Sequence, residues 1–172
     1  MNVKYSTILL FIVLFFVACK NPMSSENESI IDFPDATNII LEMGSGINLG
    51  NVFDLGAHNF DFYELATIIT IYEKVGFKHI RIPTTWMDEV NGSTLADDNG
   101  NVDFEHPRFK VLKQVIDFAI QRELYVVLNT HHERSFKANY DGSDYYNSKL
   151  RNLWYDIACL LYTSDAADEL RS

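Results

Sequence analysis

Basic residues and cysteine are scarce in this chain. Its 172 residues include 14 Lys and Arg against 24 Asp and Glu, a formal net charge of −10 at pH 7. An acidic surface repels the phosphate backbone, so this balance excludes a nucleic-acid partner. The two cysteines allow at most one intramolecular disulfide. General disorder is excluded as well, because 47% of the residues are hydrophobic and 13% are aromatic.

The sequence also lacks an apolar run long enough to cross a bilayer. The unbroken run at residues 8–17 is too short to span a membrane, and Lys4 precedes it, as in an export signal. The run leads into Phe16-Val17-Ala18-Cys19, which resembles the lipobox of bacterial lipoproteins. The alternative is a conventional signal peptide, or a short anchor, with an incidental cysteine.

The lipobox resemblance implies cleavage before Cys19 and lipid attachment to that cysteine. Residues 1–18 are then a lipoprotein signal peptide. Residues 19–34, rich in Ser, Asn, Glu and Pro, are predicted to be a flexible tether. We expect an exported protein, anchored by lipid to the bacterial outer membrane or cell surface.

From residue 35 onward, helical and strand patterns alternate. Apolar residues recur at three- and four-residue spacing in the helices, and short β-rich runs separate them. Short helix-to-strand links favour right-handed crossovers and a parallel sheet. The continuous apolar run at 124–129 predicts a strand buried on both faces, and Pro83 is expected to end its own strand. The predicted order is helix 36–43, strand 47–51, helix 60–75, strand 77–83, helix 108–122, strand 124–129 and a helix that begins near Leu150.

A polar cluster, NTHHE at residues 129–133, follows the last strand. Parallel α/β folds place ligands and catalysts at the carboxyl ends of their strands, so this cluster marks a candidate site. A metal site at His131 and His132 is disfavoured, because neighbouring strand residues point to opposite faces. The chain also has no His-x-His or His-x-x-x-His pair. Solvated loop histidines are the alternative.

Other polar residues lie in and after the earlier strands. Arg81, inside Ile80-Arg81-Ile82, is expected to be buried and to need an acceptor, most naturally a carboxylate. A structural salt bridge inside a barrel is the alternative to a functional role. The side chains at the end of the first strand are suited to bind hydroxyl groups or to form turns: Asn48, Asn51 and Asp54.

Three blocks together resemble glycoside hydrolase family 5: GINLGN at 46–51, GFKHIRIP at 76–83 with Trp86, and NTHHE at 129–133. That family holds cellulases, mannanases and related β-glycanases on a (β/α)8 barrel. The resemblance covers residues 35–158. It implies an α/β fold, an incomplete (β/α)8 TIM barrel made of about the first three βα units.

The resemblance also implies roles. Arg81 would orient the nucleophilic carboxylate and help keep it ionised, and His131 would contact the sugar in the subsite where the bond breaks. Trp86 would pack under the loops. Neither a cofactor nor a metal is implied, and the partner would be a β-linked polysaccharide or oligosaccharide. The residues implied to lie beside the substrate are His132, Asn48 and Asn51.

Two glutamates that the family needs are not matched here. Retention of anomeric configuration requires two carboxyl groups about 5 Å apart, one a neutral acid and one an ionised nucleophile. The family's glutamates end the fourth strand, in an Asn-Glu pair, and the seventh, and neither Glu133 nor Asp54 is their equivalent. We therefore expect an inactive, unstable or aggregating fragment of an endo-β-glycanase whose barrel needs about 250 residues. The alternatives are a lipid-anchored carbohydrate-binding protein and a metal-dependent TIM-barrel hydrolase.

The last residues have a separate predicted origin. The stretch from Cys159 to Glu169 can be encoded by a string that matches a transposon-end adapter used in sequencing libraries. Residues 159–172 are therefore interpreted as translated adapter, with the natural gene interrupted near Ala158. On this interpretation Cys159 does not belong to the natural protein.

Overall fold

The computed structural model describes residues 35–57 and 61–169, with side chains through Leu161. The chain divides into two units between Pro34 and Asp35, and the described residues belong to the second. The predicted signal peptide, the lipidation site Cys19 and the tether lie outside the described residues. Within the described part, no helix is both long and apolar enough to cross a membrane.

Three parallel strands form one sheet in the order β1-β2-β3, each followed by helical structure. This confirms the predicted parallel α/β arrangement. Some helix boundaries differ from the prediction: the short helix α4 was not expected, and the final helix begins at Asp144 rather than near Leu150. The elements are α1 (Ala36–Met43), β1 (Gly46–Asn48), α2 (Phe62–Lys74), β2 (His79–Thr84), α3 (Pro107–Ile120), β3 (Tyr125–Thr130), α4 (Arg134–Asn139) and α5 (Asp144–Glu169).

Local caps set the helix boundaries. Asp61 accepts a hydrogen bond from the Glu64 N–H at 2.9 Å, and the Glu64 carboxylate accepts one from the Asp61 N–H at 3.1 Å. This capping box starts α2 at Phe62. At the other end, Gly76 adopts a φ of 97°, a left-handed conformation that glycine tolerates.

The core lies between the sheet and the helices. Ile80 and Ile82 of β2 are almost fully buried and belong to the same apolar cluster as residues of α2 and α3. Fully burying one such side chain contributes about 1.5–3 kcal/mol. Because strand residues alternate between faces, Arg81 lies on the opposite face of the sheet, in register with Asn48 and Val127. That second face carries Arg81 and Asn48.

Pro83 does not end β2, contrary to expectation, because it pairs with Asn129 and is followed by a pairing of Thr84 with Thr130. The backbone groups of even-numbered β2 residues point toward β3. For example, the His131 N–H donates a hydrogen bond to the Thr84 carbonyl at 2.8 Å. The backbone groups of odd-numbered β2 residues, Pro83 included, point toward β1. For example, the Leu49 N–H donates a hydrogen bond to the Arg81 carbonyl at 2.8 Å. Proline therefore lacks a donor only toward β1, which has already ended.

β3 is not buried on both faces as predicted, since all six of its residues are half-buried. Within the described residues β3 pairs only with β2, so it is an edge strand of this sheet. A continuous apolar sequence does not distinguish an edge strand from a central one. β1 is also shorter than predicted, because Asn51 adopts a φ of 67° in the turn that follows it.

We expect a Gly46→Ala substitution to destabilise the fold by about 1–3 kcal/mol. A methyl group at Gly46 would overlap the His79 ring at Nε2, Cδ2 and Cε1. That ring is held in place because its Nδ1 lies 2.9 Å from the Met43 carbonyl oxygen. Urea unfolding of the single variants and of the double variant with His79→Ala measures the effect. Most of the cost of Gly46→Ala should disappear when His79 is alanine, and an equal cost in both backgrounds would contradict the overlap.

Candidate active site

Thr85 joins the loops that follow all three strands. Its N–H donates to the Phe53 carbonyl at 3.1 Å. Its hydroxyl oxygen lies 2.9 Å from the Asp54 carbonyl oxygen and 2.6 Å from that of His131. Thr85 itself is buried. The carboxyl ends of β1, β2 and β3 therefore meet at one place, as the sequence predicted from the position of its polar clusters.

Glu133 connects the loop after β3 to the loop after β2. It is 2% exposed, and its carboxylate accepts backbone N–H bonds from Trp86 at 2.7 Å, Met87 at 3.0 Å and Asp88 at 3.2 Å. Burial raises the pKa of Glu133, although these three hydrogen bonds act in the opposite direction. Both carboxylate oxygens are engaged by the backbone, so Glu133 holds a loop in place and is not positioned to transfer protons to a substrate.

Asp88 makes the reciprocal connection, from the loop after β2 to the start of α4. Its carboxylate accepts hydrogen bonds from the backbone N–H groups of Arg134 at 2.7 Å and Ser135 at 3.2 Å. Trp86, between these contacts, is fully buried, which agrees with the expectation that it packs under the loops. The two acidic residues thus fix the backbone directly beside His131 and His132.

Arg81 has an amide partner, contrary to the prediction that it would need a carboxylate. Its guanidinium donates to Asn48 Oδ1 at 2.5 Å, across the β1–β2 pairing. The Arg81 side chain is half-buried, less than expected. Among the described residues it has no ion-pair partner, so the alternative of a structural salt bridge also receives no support there.

The two adjacent histidines lie side by side, although strand alternation predicted opposite faces. Their ring centroids are 4.1 Å apart. The alternation argument fails because β3 ends at Thr130 and His132 adopts a φ of 53°. Burial lowers the pKa of His131, and its electrostatic interactions with His132 and Arg81 lower it further, so the imidazole of His131 is mainly neutral at pH 7.

Asp54 joins this pair from the loop after β1. Its side chain is 4% exposed, and its Oδ2 lies 3.7 Å from His132 Nε2, too far for a hydrogen bond. Its Oδ1 is buried without a hydrogen-bond partner. The sequence placed Asp54 near the end of the first strand, as a hydroxyl binder or turn former, but nothing in the pattern indicated that it would meet the two histidines.

Asn51, predicted to contact substrate, takes part in a turn. Its carbonyl accepts a hydrogen bond from the Ala57 N–H at 2.9 Å, and its side chain is exposed. Asn48 and Arg81 form one pair at this end of the sheet, while His131, His132 and Asp54 form a second group. The sequence predictions therefore converge on one rim, with Asn51 at its solvent-exposed border.

Residues 42–166 match the family model described as Cellulase (glycosyl hydrolase family 5). The chain belongs to glycoside hydrolase family 5.

The matched range runs past Ala158, the predicted junction with translated adapter. Leu160 is buried in the core, but a leucine three residues after Ile157 packs in a helix whatever its origin. The origin of residues 159–172 stays a prediction.

Curated relatives and a solved structure agree with this family. The chain is 31% identical over 154 residues to endoglucanase A of Clostridium longisporum, covering 81% of this chain and 28% of the relative. It is 27% identical over 133 residues to endoglucanase B of Ruminococcus albus, covering 72% of this chain and 31% of the relative. The chain thus spans about a third of the length of these relatives.

The solved structure of wild-type ZgEngAGH5_4 is similar, with a TM-score of 0.50 and 26% identity over 68% of this chain and 35% of that one. Together with the family match, this similarity confirms the predicted fold class. The three βα units described above are part of a TIM-barrel fold.

Proposed function

We propose that the chain is the front part of a retaining endo-β-glycanase that hydrolyses β-1,4-linked polysaccharide. Membership of family 5 supports this, as do relatives named endoglucanase. Arg81 carries the proposal. It is a half-buried cation bonded to the amide oxygen of Asn48 rather than to a carboxylate, so its charge remains available to an ionised nucleophile.

The residues of the rim have distinct proposed roles. Arg81 orients the nucleophilic glutamate and keeps it ionised through its positive charge, while Asn48 holds the guanidinium in place. His131, mainly neutral at pH 7, exchanges hydrogen bonds with a sugar hydroxyl in the subsite where the bond breaks. His132 and Asn51 border the same subsite, and no cofactor takes part.

The two catalytic glutamates belong to later strands on this proposal. Within the described residues, Glu133 is held by three backbone N–H groups, and Asp54 faces His132. The chain by itself is therefore proposed to be inactive and prone to associate through the edge of β3. The complete enzyme is proposed to be exported and attached to the bacterial outer membrane or cell surface through a lipid on Cys19.

An Arg81→Lys substitution in the protein extended through the later strands is expected to lower kcat about 100-fold or more. Lysine keeps the charge but loses the fixed geometry of the guanidinium, which bonds to Asn48 and would orient the nucleophile. Hydrolysis of a soluble β-1,4-glucan measures the effect, and proton NMR of the first product should show retained configuration. Arg151→Lys, an exposed position on α5, is the matched control. Equal activity of the two variants, or an inverted product, would contradict the proposed mechanism.

A further inference from the structure

One oxygen of the buried Asp54 carboxylate lacks a hydrogen-bond partner. Asp54 is 4% exposed, and its Oδ1 has no hydrogen-bond donor within reach. An isolated buried carboxylate oxygen is costly, and buried charges are ordinarily paired or coordinated to a metal. The backbone at Asp54 is fixed, because its carbonyl oxygen lies 2.9 Å from the Thr85 hydroxyl. The carboxylate therefore extends from a fixed backbone position, with Oδ1 unused as an acceptor.

Two imidazoles face this carboxylate. One ligand atom from each of Asp54, His131 and His132 lies within 4.8 Å of the other two. The Asp54 Oδ2 to His132 Nε2 distance of 3.7 Å is too long for a hydrogen bond. It is close to the separation of roughly 3.3–3.4 Å between two ligand atoms of a tetrahedral zinc ion with bonds of about 2.0–2.1 Å. Side-chain rotations are needed to bring the three ligand atoms to one centre, since they lie within 4.8 Å of one another.

The chemistry of the three ligands selects the class of ion. Two imidazole nitrogens and one carboxylate suit Zn²⁺, Co²⁺ or Ni²⁺, whereas Mg²⁺ and Ca²⁺ favour oxygen ligands. With neutral imidazoles the group carries one negative charge. Arg81 and Lys137 lie near enough to affect His131 electrostatically, so they reduce the affinity for a cation without occupying the ligand positions.

We propose that Asp54, His131 and His132 form a binding site for a divalent transition-metal ion of the zinc type, with a fourth position open to water. Metal binding by these three residues does not depend on the glycanase activity. One consequence does rest on the proposed function: because His131 would also contact the sugar, bound metal and substrate should exclude each other.

Cobalt titration of the purified chain tests the site, since bound Co²⁺ has visible absorption that reports its ligands. The chain carries no polyhistidine tag, is stripped of metal, and is taken as the monomer from size exclusion. We expect one tetrahedral Co²⁺ per chain with nitrogen and oxygen ligands, displaced by Zn²⁺. His132→Gln and Asp54→Asn should each weaken binding at least about tenfold, since even residues outside the ligand set affect metal affinity by 10–100-fold. Asp141→Asn, the same chemical change at an exposed residue, should leave it unchanged.

Three outcomes would overturn the proposal: no visible absorption, equal affinity in His132→Gln, or a sulfur-to-cobalt band that assigns the metal to cysteine. Because Asp54 is buried, its variant is judged only if its far-UV circular dichroism is native. If it is not native, the His132→Gln variant alone decides the result, because His132 is only half-buried.

Zinc inhibition of hydrolysis in the extended protein is measured separately. Absence of hydrolysis there would count against the proposed function and leave the metal result intact.

Discussion

The purified chain is expected to release no sugar from a β-1,4-glucan, whereas the protein extended through the later strands should hydrolyse it. Retaining hydrolysis needs a neutral acid and an ionised nucleophile about 5 Å apart. Glu133 is engaged by three backbone N–H groups, and Asp54 faces His132 rather than a second carboxyl group. Loss of general acid catalysis alone costs about 10²–10⁴-fold in rate, and the nucleophile would be missing as well.

A reducing-sugar assay on both proteins measures this difference. Glutamine substitution of each strand-end glutamate in the extended protein should reduce its activity to that of the chain. Hydrolysis by the unmodified chain above the rate measured without protein would contradict the need for later strands.

Replacing Glu133 with alanine is expected to lower the free energy of unfolding by about 3 kcal/mol or more, a large effect for one side chain. The substitution leaves the N–H groups of Trp86, Met87 and Asp88 without their acceptor. A buried donor without a partner costs about 1–3 kcal/mol. Glu133→Gln should be intermediate, because its amide keeps one acceptor oxygen but directs an NH₂ group at a backbone donor.

Urea unfolding followed by tryptophan fluorescence measures these losses, because the buried Trp86 lies at the affected loop. Glu105→Ala is the matched control: Glu105 is 86% exposed and pairs only at the surface with Lys110. That substitution should change stability by less than about 0.5 kcal/mol. Equal stability of the Glu133 and Glu105 variants would contradict the role of Glu133 as the anchor between the two loops.

The parts of the fold that follow from local periodicity could be predicted from the sequence. The alternation of Ile80, Arg81 and Ile82 places apolar and polar side chains on opposite faces of β2, as found. Helical spacing and the short β-rich runs between the helices predict the βα order. The errors concern properties that depend on neighbours. Pro83 is tolerated because its missing N–H points toward β1 after that strand has ended, which only the strand register reveals.

The candidate site was predicted by location more than by contact. Positions after strands indicated His131 and the asparagines, and a cation inside an apolar strand indicated Arg81. The left-handed conformation of His132, which brings the two imidazoles together, has no sequence signal beyond its position after the strand. The anchor role of Glu133 depends on backbone groups 45–47 residues away. Contacts over such distances follow from packing of the whole sheet, which periodicity does not specify.

Long-read sequencing of the source locus past the codon for Ala158 tests the central claim most directly. We expect an open reading frame that lacks the adapter string. It should continue into a strand ending in Asn-Glu, with a second strand-end glutamate well beyond it. Arg81 would then have a nucleophile to orient, and the retaining mechanism would have both of its carboxyl groups. A native frame that ends near Ala158 would contradict the account, because hydrolysis by this mechanism would be impossible and a binding role or a pseudogene would fit better.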